Sequence, residues 1–220
     1  MIVLGITGGI GSGKGLAAEF FRGQGAMILD ADEIARALTH PRSSVLEKIV
    51  TTFGPSVLQE DGGLDRRKLA ELVFPCPALV EKLNAITHPP ILAEVKRRLE
   101  EIEKGSPTQE EGRGSAAAAR VVCVVAPLLL EAGGRALVDR LLVMAAAKAE
   151  RMRRVMQRDG LSEEAVRQRM AAQMSPEEQA RQADWVVDTT AGRAAAIRQL
   201  EMIWAEVRGR EAHRTKAICQ

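Results

Sequence analysis

The stretch TGGIGSGK, residues 7–14, constrains the fold of this chain more than any other segment. The short apolar run Ile2–Thr7 leads into it, and apolar side chains recur at helical spacing after it. Glycines fill four of the six positions from Gly8 to Gly13. They permit positive φ angles and close backbone approach, so several N–H groups can converge on one anion. With Lys14 and the following helix N-terminus, the segment predicts a phosphate-binding loop between a strand and a helix.

The last position of the pattern G-x-x-x-x-G-K-[ST] is not filled as usual. Gly15 stands where a Ser or Thr hydroxyl would reach a magnesium ion. A water could take that place, because magnesium readily keeps several waters. We therefore expect phosphate binding with a weakened metal site. The residues expected to bind the nucleotide are Gly8, Gly9, Ile10, Gly11, Ser12, Gly13, Lys14, Gly15 and Leu16.

Four further apolar runs alternate with helical patterns along the chain. They cover residues 26–30, 120–126, 140–145 and 184–188. Strands that alternate with helices indicate a parallel sheet with right-handed crossovers and helices on both faces. The predicted fold is therefore α/β, with a five-stranded parallel core in a three-layer α/β/α arrangement. In such sheets the ligand binds at the carboxyl ends of the strands, where the Gly-rich loop lies.

The chain between the strands suggests its domain organisation. Residues 40–104 show helical patterns without a strong strand, so they predict a helical insertion into a core made of residues 1–39 and 120–205. Residues 105–119 are polar and rich in Gly, Ser and Ala, which is typical of a flexible surface linker. The Arg-rich residues 150–178 are expected to form a lid within the core.

Two acids, Asp30 and Asp32, close the second predicted strand. Acids two positions apart at a strand end point the same way, here toward the nucleotide face. One such carboxylate could take a proton from an acceptor hydroxyl or hold a hydrated magnesium. The structural alternative for Asp32 is an N-cap, since it precedes a predicted helix.

Arg158 and His88 are two further candidates. Arginines on a mobile segment above a phosphate site can neutralise charge that develops during phosphoryl transfer. Most arginines between residues 151 and 169 are expected on a solvated helix face, but Asp159-Gly160 ends the helix beside Arg158 and could act as a lid hinge. His88 precedes two prolines in a turn expected to separate two helices, where a lone His is more often structural than catalytic.

Composition excludes several function classes. The formal net charge is +2 and aromatic residues make up 3%, so neither a nucleic-acid surface nor a stacking platform is expected. Three widely spaced cysteines suggest a reducing compartment. The N-terminal MIVLGITGG lacks the features of a signal peptide, and no apolar run approaches the roughly 20 residues of a membrane span. A cytoplasmic protein without nucleic-acid or membrane partners is expected.

The motifs together resemble those of dephospho-coenzyme A kinases, which phosphorylate the ribose 3′-hydroxyl of dephospho-CoA with ATP. The matching segments follow in family order across roughly residues 1–200: TGGIGSGK, LDADEIA, GLDR, ITHP, PLLLE and QRDG. The phosphate loop alone indicates a nucleotide, whereas LDAD, ITHP and PLL-x-E together are specific to this family.

The resemblance implies a phosphate-loop kinase that uses ATP and Mg²⁺ in the last step of coenzyme A biosynthesis. It implies that residues 40–104 bind the acceptor, dephospho-CoA, and that Asp32 is the general base. Lys14 and Arg158 would be the other catalytic residues. The acceptor would contact Asp32, Arg66, His88, Pro127 and Leu128. Asp32 is also the candidate metal ligand, unless the metal is held through water. A monomer or a small homo-oligomer is expected.

Several residues depart from the family pattern. Besides Gly15, these are Val125 for a common Asp, Arg151 for a Gln, Gln179 for a Lys and Thr189 for an Asn. Because two magnesium-side groups are missing, we expect a slower kinase with a higher magnesium requirement. Two alternatives remain open: a nucleotide-binding protein that has lost catalysis, and a kinase for another nucleoside or nucleotide.

Overall fold

Five parallel strands form the centre of the computed structural model, which describes residues 1–105 and 121–218, with side chains as far as residue 209. The strands are β1 (Ile2–Thr7), β2 (Met27–Asp30), β3 (Val121–Val125), β4 (Arg140–Ala145) and β5 (Trp185–Asp188). Their order across the sheet is β2-β3-β1-β4-β5, and every neighbouring pair is parallel. The predicted five-stranded parallel sheet is confirmed.

Helices cover both faces of this sheet and form a second lobe. They are α1 (Lys14–Gly23), α2 (Ala31–Leu38), α3 (Ser44–Phe53), α4 (Arg66–Val73), α5 (Pro77–Glu103), α6 (Lys148–Asp159), α7 (Glu163–Ala171), α8 (Pro176–Gln182) and α9 (Arg193–Ile218). Nowhere in the two described ranges is a helix long and apolar enough to span a membrane. The predicted linker at residues 105–119 falls almost wholly on 106–119, outside the described residues.

Two apolar layers enclose the sheet, which explains why its inner strands are apolar throughout. On one face, Leu4 and Ile6 of β1 pack with Phe21 of α1 and Leu200 of α9. A second layer covers the other face, where strand residues meet α2 and the C-terminal half of α5. Its members include Val122, Leu141, Ile34, Val95 and Leu99. Burial on both faces fixes β1 at the centre, so the loop after β1 has a rigid base.

A third apolar cluster lies away from the sheet, within the predicted helical insertion. Ile49 of α3, Val57, and Leu69 and Val73 of α4 are buried in it. Partly buried residues of α5 complete this cluster, including Leu83 and Ile86. The insertion therefore has its own small core beside the sheet.

The long helix α5 differs from the sequence expectation, which placed a turn at His88. Its 27 residues run through Pro89 and Pro90 without interruption. Proline has no N–H, so the carbonyls of Ala85 and Ile86 lose their usual helical partners. The expected turn is wrong. The helix stays continuous across the two prolines because each of its halves is held by packing in a separate apolar cluster. The first half packs on the insertion cluster, and the second half buries Val95 and Leu99 against the sheet.

Candidate active site

The loop after β1 has the backbone that its glycines predicted. Gly8, Gly11 and Gly13 have φ angles of 140°, 78° and 96°. A Cβ on Gly8 would lie 2.2 Å from the carbonyl oxygen of Met144, and one on Gly11 would lie 2.6 Å from that of Arg151. Larger residues are therefore excluded at both positions. Helix α1 begins directly after the loop, so its free N-terminal N–H groups adjoin it.

Lys14 folds back over this loop. Its Nζ donates to the carbonyl oxygens of Gly8 at 2.6 Å and Gly9 at 3.1 Å. Burial lowers the pKa of Lys14 to about 8, the charge of Asp32 opposes that shift, and Arg151 adds to it. A bound anion would raise this pKa again, because an opposite charge favours the ammonium form.

The two aspartates after β2 divide the roles that the sequence left open. Asp30 is the N-cap of α2, and its carboxylate accepts the backbone N–H of Asp32 at 2.8 Å. Asp32 is therefore in the first turn of α2 and is not the cap. The expectation that both acids extend from one strand end is wrong, because α2 begins immediately after Asp30.

The carboxyl group of Asp32 lies in the cavity and is accessible to solvent there. Partial desolvation and then the nearby charge of Asp30 raise its pKa. Lys14 and Arg66 act in the opposite direction. A carboxylate that has a raised pKa and does not cap a helix is suited to accept a proton.

One cavity of about 500 Å³ connects the loop, α2 and the insertion. Seven of the residues predicted for catalysis or acceptor binding line it: Lys14, Asp32, Arg66, His88, Pro127, Leu128 and Arg158. Of the other loop residues, Ile10 and Gly11 reach the lining, while Gly8, Gly9, Ser12, Gly13, Gly15 and Leu16 do not. The structure thus brings the catalytic and acceptor candidates into one space.

The part of the cavity lined by α4 and α5 carries a guanidinium and an imidazole. Arg66 at the start of α4 donates from Nη2 to the hydroxyl oxygen of Thr39 at 2.6 Å, which fixes its position. His88 is half-buried on α5, where desolvation lowers its pKa and the charge of Glu131 opposes that shift. His88 is therefore neutral near pH 7 and can both donate and accept a hydrogen bond.

Arg158 lies at the end of α6, as its motif predicted. The helix ends at Asp159, and Gly160 caps it with a φ of 64°. The guanidinium binds the carboxylate of Asp159 through Nε at 2.7 Å and Nη2 at 2.8 Å. Its side chain is 65% exposed, so it has room to reorient.

Several contacts around the cavity were not predicted from the sequence. The side-chain oxygen of Gln173 accepts the N–H of Ile10 at 2.8 Å. Glu131 accepts the N–H of Met174 at 2.8 Å through one oxygen, and its other oxygen is buried without a hydrogen-bond partner among the described residues. Glu131 is the last residue of the PLLLE motif, but neither that motif nor the sequence around Gln173 indicates these partners.

Arg169, set aside in the sequence as part of a solvated face, also lines the cavity. Its guanidinium carbon lies 5.3 Å from the ring centre of Phe74, a cation–π contact between α7 and the residue after α4. The basic spacing alone could not distinguish Arg169 from its exposed neighbours.

Protein ligands for a metal are few in this cavity. Gly15 offers no side chain, and Asp32 is the one acidic residue among the described residues that line the cavity. No group of three or more His, Cys, Asp or Glu side chains in the described ranges is arranged to hold a metal ion. This donor set fits magnesium that is held mainly by phosphates and water, with at most one carboxylate from the protein.

The chain is similar to known proteins along most of its length. The family described as CoaE, dephospho-CoA kinase, matches residues 2–194. A protein from Syntrophotalea carbinolica named dephospho-CoA kinase is 42% identical over 188 residues, which is 86% of this chain and 83% of that protein.

Two solved structures show similar architecture. TT1252 from Thermus thermophilus is 36% identical with a TM-score of 0.70, covering 93% of this chain and 97% of that one. Dephospho-CoA kinase from Campylobacter jejuni is 26% identical with a TM-score of 0.62, covering 93% and 96%.

Proposed function

The chain belongs to the dephospho-CoA kinase family, and we propose that it transfers the γ-phosphoryl group of ATP to the ribose 3′-hydroxyl of dephospho-CoA. This reaction is the last step of coenzyme A biosynthesis. The observation that carries the assignment to this site is one cavity lined by Lys14, Asp32, Arg66 and His88. It combines a phosphate-loop cation, a carboxylate, a guanidinium and an imidazole, and we assign the last two groups to acceptor binding.

The loop and the start of α1, residues 8–16, would hold the phosphates of ATP. The glycine backbone lets the loop N–H groups converge, and the helix N-terminus adds its positive end. Lys14 would exchange its contacts with the carbonyls of Gly8 and Gly9 for the β- and γ-phosphate oxygens.

Asp32 would orient the 3′-hydroxyl of the acceptor and take its proton. The hydroxyl oxygen forms a bond to the γ-phosphorus, the bond from that phosphorus to the bridging oxygen breaks, and the electron pair leaves with ADP. Lys14 would offset the charge on the transferred group. Arg158 would do the same after leaving Asp159, with which it pairs in this structure.

The remaining predicted acceptor residues fit the parts of dephospho-CoA. Arg66, fixed by Thr39, would bind the acceptor's pyrophosphate. Neutral His88 would form a hydrogen bond, and Pro127 with Leu128 would contact an apolar part of the molecule. Residues 40–104 would form the acceptor domain, and residues 150–178 would close as a lid to exclude water.

Magnesium fits this site if the nucleotide brings most of its ligands. Phosphate oxygens and waters would hold it, with Asp32 as the available carboxylate, and the ion would neutralise phosphate charge during transfer. A cytoplasmic location and a monomeric or small homo-oligomeric state are part of the same proposal.

A nucleotide-binding protein that has lost catalysis is the main alternative, based on Gly15 and Val125. The presence of Lys14 and Asp32 in one cavity argues against it. The discriminating experiment is an acceptor screen with ATP at saturating magnesium. The proposal predicts that dephospho-CoA is phosphorylated faster than any nucleoside or nucleotide. ATP binding without turnover of any acceptor would favour the alternative instead.

A further inference from the structure

Arg151 lies against the phosphate loop from the side of α6. The residue is 7% exposed, and its Nε donates to the carbonyl oxygen of Ile10 at 2.9 Å. A Cβ added to Gly9 would lie 2.1 Å from Nη2 of this guanidinium. The backbone of Arg151 also abuts Gly11, since its carbonyl oxygen would be 2.6 Å from a Cβ there. The side chain and backbone of Arg151 therefore pack along the loop from Gly9 to Gly11.

No carboxylate in the described part of the chain pairs with the guanidinium of Arg151. Within the described ranges, Arg151 forms no ion pair, whereas Arg153 and Arg154 on the same helix both bind the carboxylate of Glu150. Burial lowers the pKa of Arg151, and none of the described carboxylates opposes that shift. An unpaired charge in a buried position is unfavourable, and an anion bound nearby would offset that cost.

The same loop lacks a group that helps hold the metal. Gly15 has no hydroxyl, and the space around its Cβ position is open. With a weaker metal site, more of the negative charge on a bound triphosphate must be balanced by the loop N–H groups, by Lys14 and by other cationic side chains close to the loop. Arg151 is buried against the loop and adds to the positive field, since it lowers the pKa of Lys14.

We propose that Arg151 is a positioning residue that supplies a second fixed positive charge to the nucleotide phosphates through the Gly9–Gly11 backbone. It thereby reduces the dependence of nucleotide binding on magnesium that Gly15 would otherwise impose. The inference rests on the proposed ATP site and adds a residue to it. The two departures from the family pattern then compensate each other, because Gly15 removes a metal-binding hydroxyl and Arg151 adds a positive charge.

The test is ATP binding measured by calorimetry, once with EDTA and once with magnesium. Arg151→Gln should weaken metal-free ATP binding on the order of tenfold, with a smaller loss when magnesium is present. Arg151→Lys should retain most of the metal-free affinity, because it keeps the charge. Arg153→Gln is the matched control, since Arg153 lies on the same helix with a side chain that is 62% exposed, and it should bind ATP like the unmodified protein.

Equal metal-free affinity for Arg151→Gln and the unmodified protein would overturn the inference. A loss in Arg151→Lys as large as in Arg151→Gln would also overturn it, because the geometry and not the charge would then matter. Thermal unfolding checks that each variant folds, and Arg151→Lys provides the comparison if Arg151→Gln does not. If the unmodified protein binds ATP but forms no CoA, the proposed function fails while this inference is still decided by the variants.

Discussion

The carboxylate of Asp30 accepts the backbone N–H of Asp32 at 2.8 Å, so two acids of one motif have separate tasks. Asp30 begins α2, and Asp32 is left to face the cavity with a raised pKa. Of these two acids, Asp32 is therefore the one whose carboxylate is available to act as a base. It also provides a matched pair of variants two positions apart.

Asp32→Asn should reduce the turnover number by at least about a hundredfold, because a positioned general base contributes about 10²–10⁴. ATP affinity should change little, since the loop N–H groups and Lys14 are intact. Asp30→Ala is the comparison, and it should instead lower the free energy of unfolding by about 1 kcal/mol through the lost cap. Steady-state kinetics, ATP calorimetry and chemical denaturation measure these effects. Equal loss of turnover and ATP affinity in Asp32→Asn would indicate a metal or structural role.

Gly15→Ser should raise the phosphorylation rate and lower the magnesium concentration needed for half-maximal activity. A serine fits, since no atom lies within 4 Å of the Cβ position, and its hydroxyl would add the missing metal ligand. Gly23→Ser, at the other end of α1 and equally open, is the control and should leave the magnesium response unchanged. If both variants behave alike, the hydroxyl does not limit this enzyme.

The pH dependence of kcat/KM for ATP should show an alkaline limb near pH 8. Lys14 has a pKa of about 8 in the free protein, so it carries its charge below that pH and loses it above. This kinetic ratio reports ionisations of the free enzyme, before phosphate raises the pKa. Lys14→Arg should shift the limb to higher pH, because arginine stays protonated. An unchanged limb in that variant would assign the titration to another group.

An acid limb should lie above the usual titration range of an aspartate. Desolvation and Asp30 raise the pKa of Asp32, and the carboxylate must be unprotonated to accept the hydroxyl proton. Activity should therefore be lost as pH falls through that raised pKa. Asp30→Ala should move this limb to lower pH, because one of the causes of the shift is removed. A limb that stays in place would show that Asp30 does not act on Asp32.

Arg158→Gln should lower kcat on the order of tenfold to a hundredfold with a small change in ATP affinity, because its charge is needed during transfer. Asp159→Asn is the comparison variant, because it weakens the ion pair and leaves Arg158 in place. That variant releases Arg158 from its partner and should not reduce kcat. A comparable fall in kcat for both variants would mean that the pair stabilises the lid instead.

The sequence predicted the sheet because its signals are local. The glycine loop after β1 and the alternation of apolar runs with helices follow from nearby residues alone. The continuous helix α5 could not be predicted, since two separate cores support it across Pro89 and Pro90. The roles of Asp30 and Asp32 could not be separated either. They depend on the exact residue at which α2 begins, and hydrophobic periodicity does not locate a helix end to within one residue.

The contacts that surround the loop were missed for a different reason. Ile10 is bound through its carbonyl by Arg151 and through its N–H by Gln173, residues 141 and 163 positions further along the chain. Such pairs arise only when the fold brings both ends of the predicted lid to the loop. Local patterns carry no information on them.

The proposed kinase activity is tested most directly by the product formed from ATP and dephospho-CoA with magnesium, identified by mass spectrometry and ³¹P NMR. The proposed reaction should yield one CoA and one ADP per ATP consumed, with the new phosphate on the ribose 3′-oxygen, and Asp32→Asn should form CoA at least about a hundredfold more slowly. Absence of CoA from the unmodified protein, or a phosphate on another position, would contradict it.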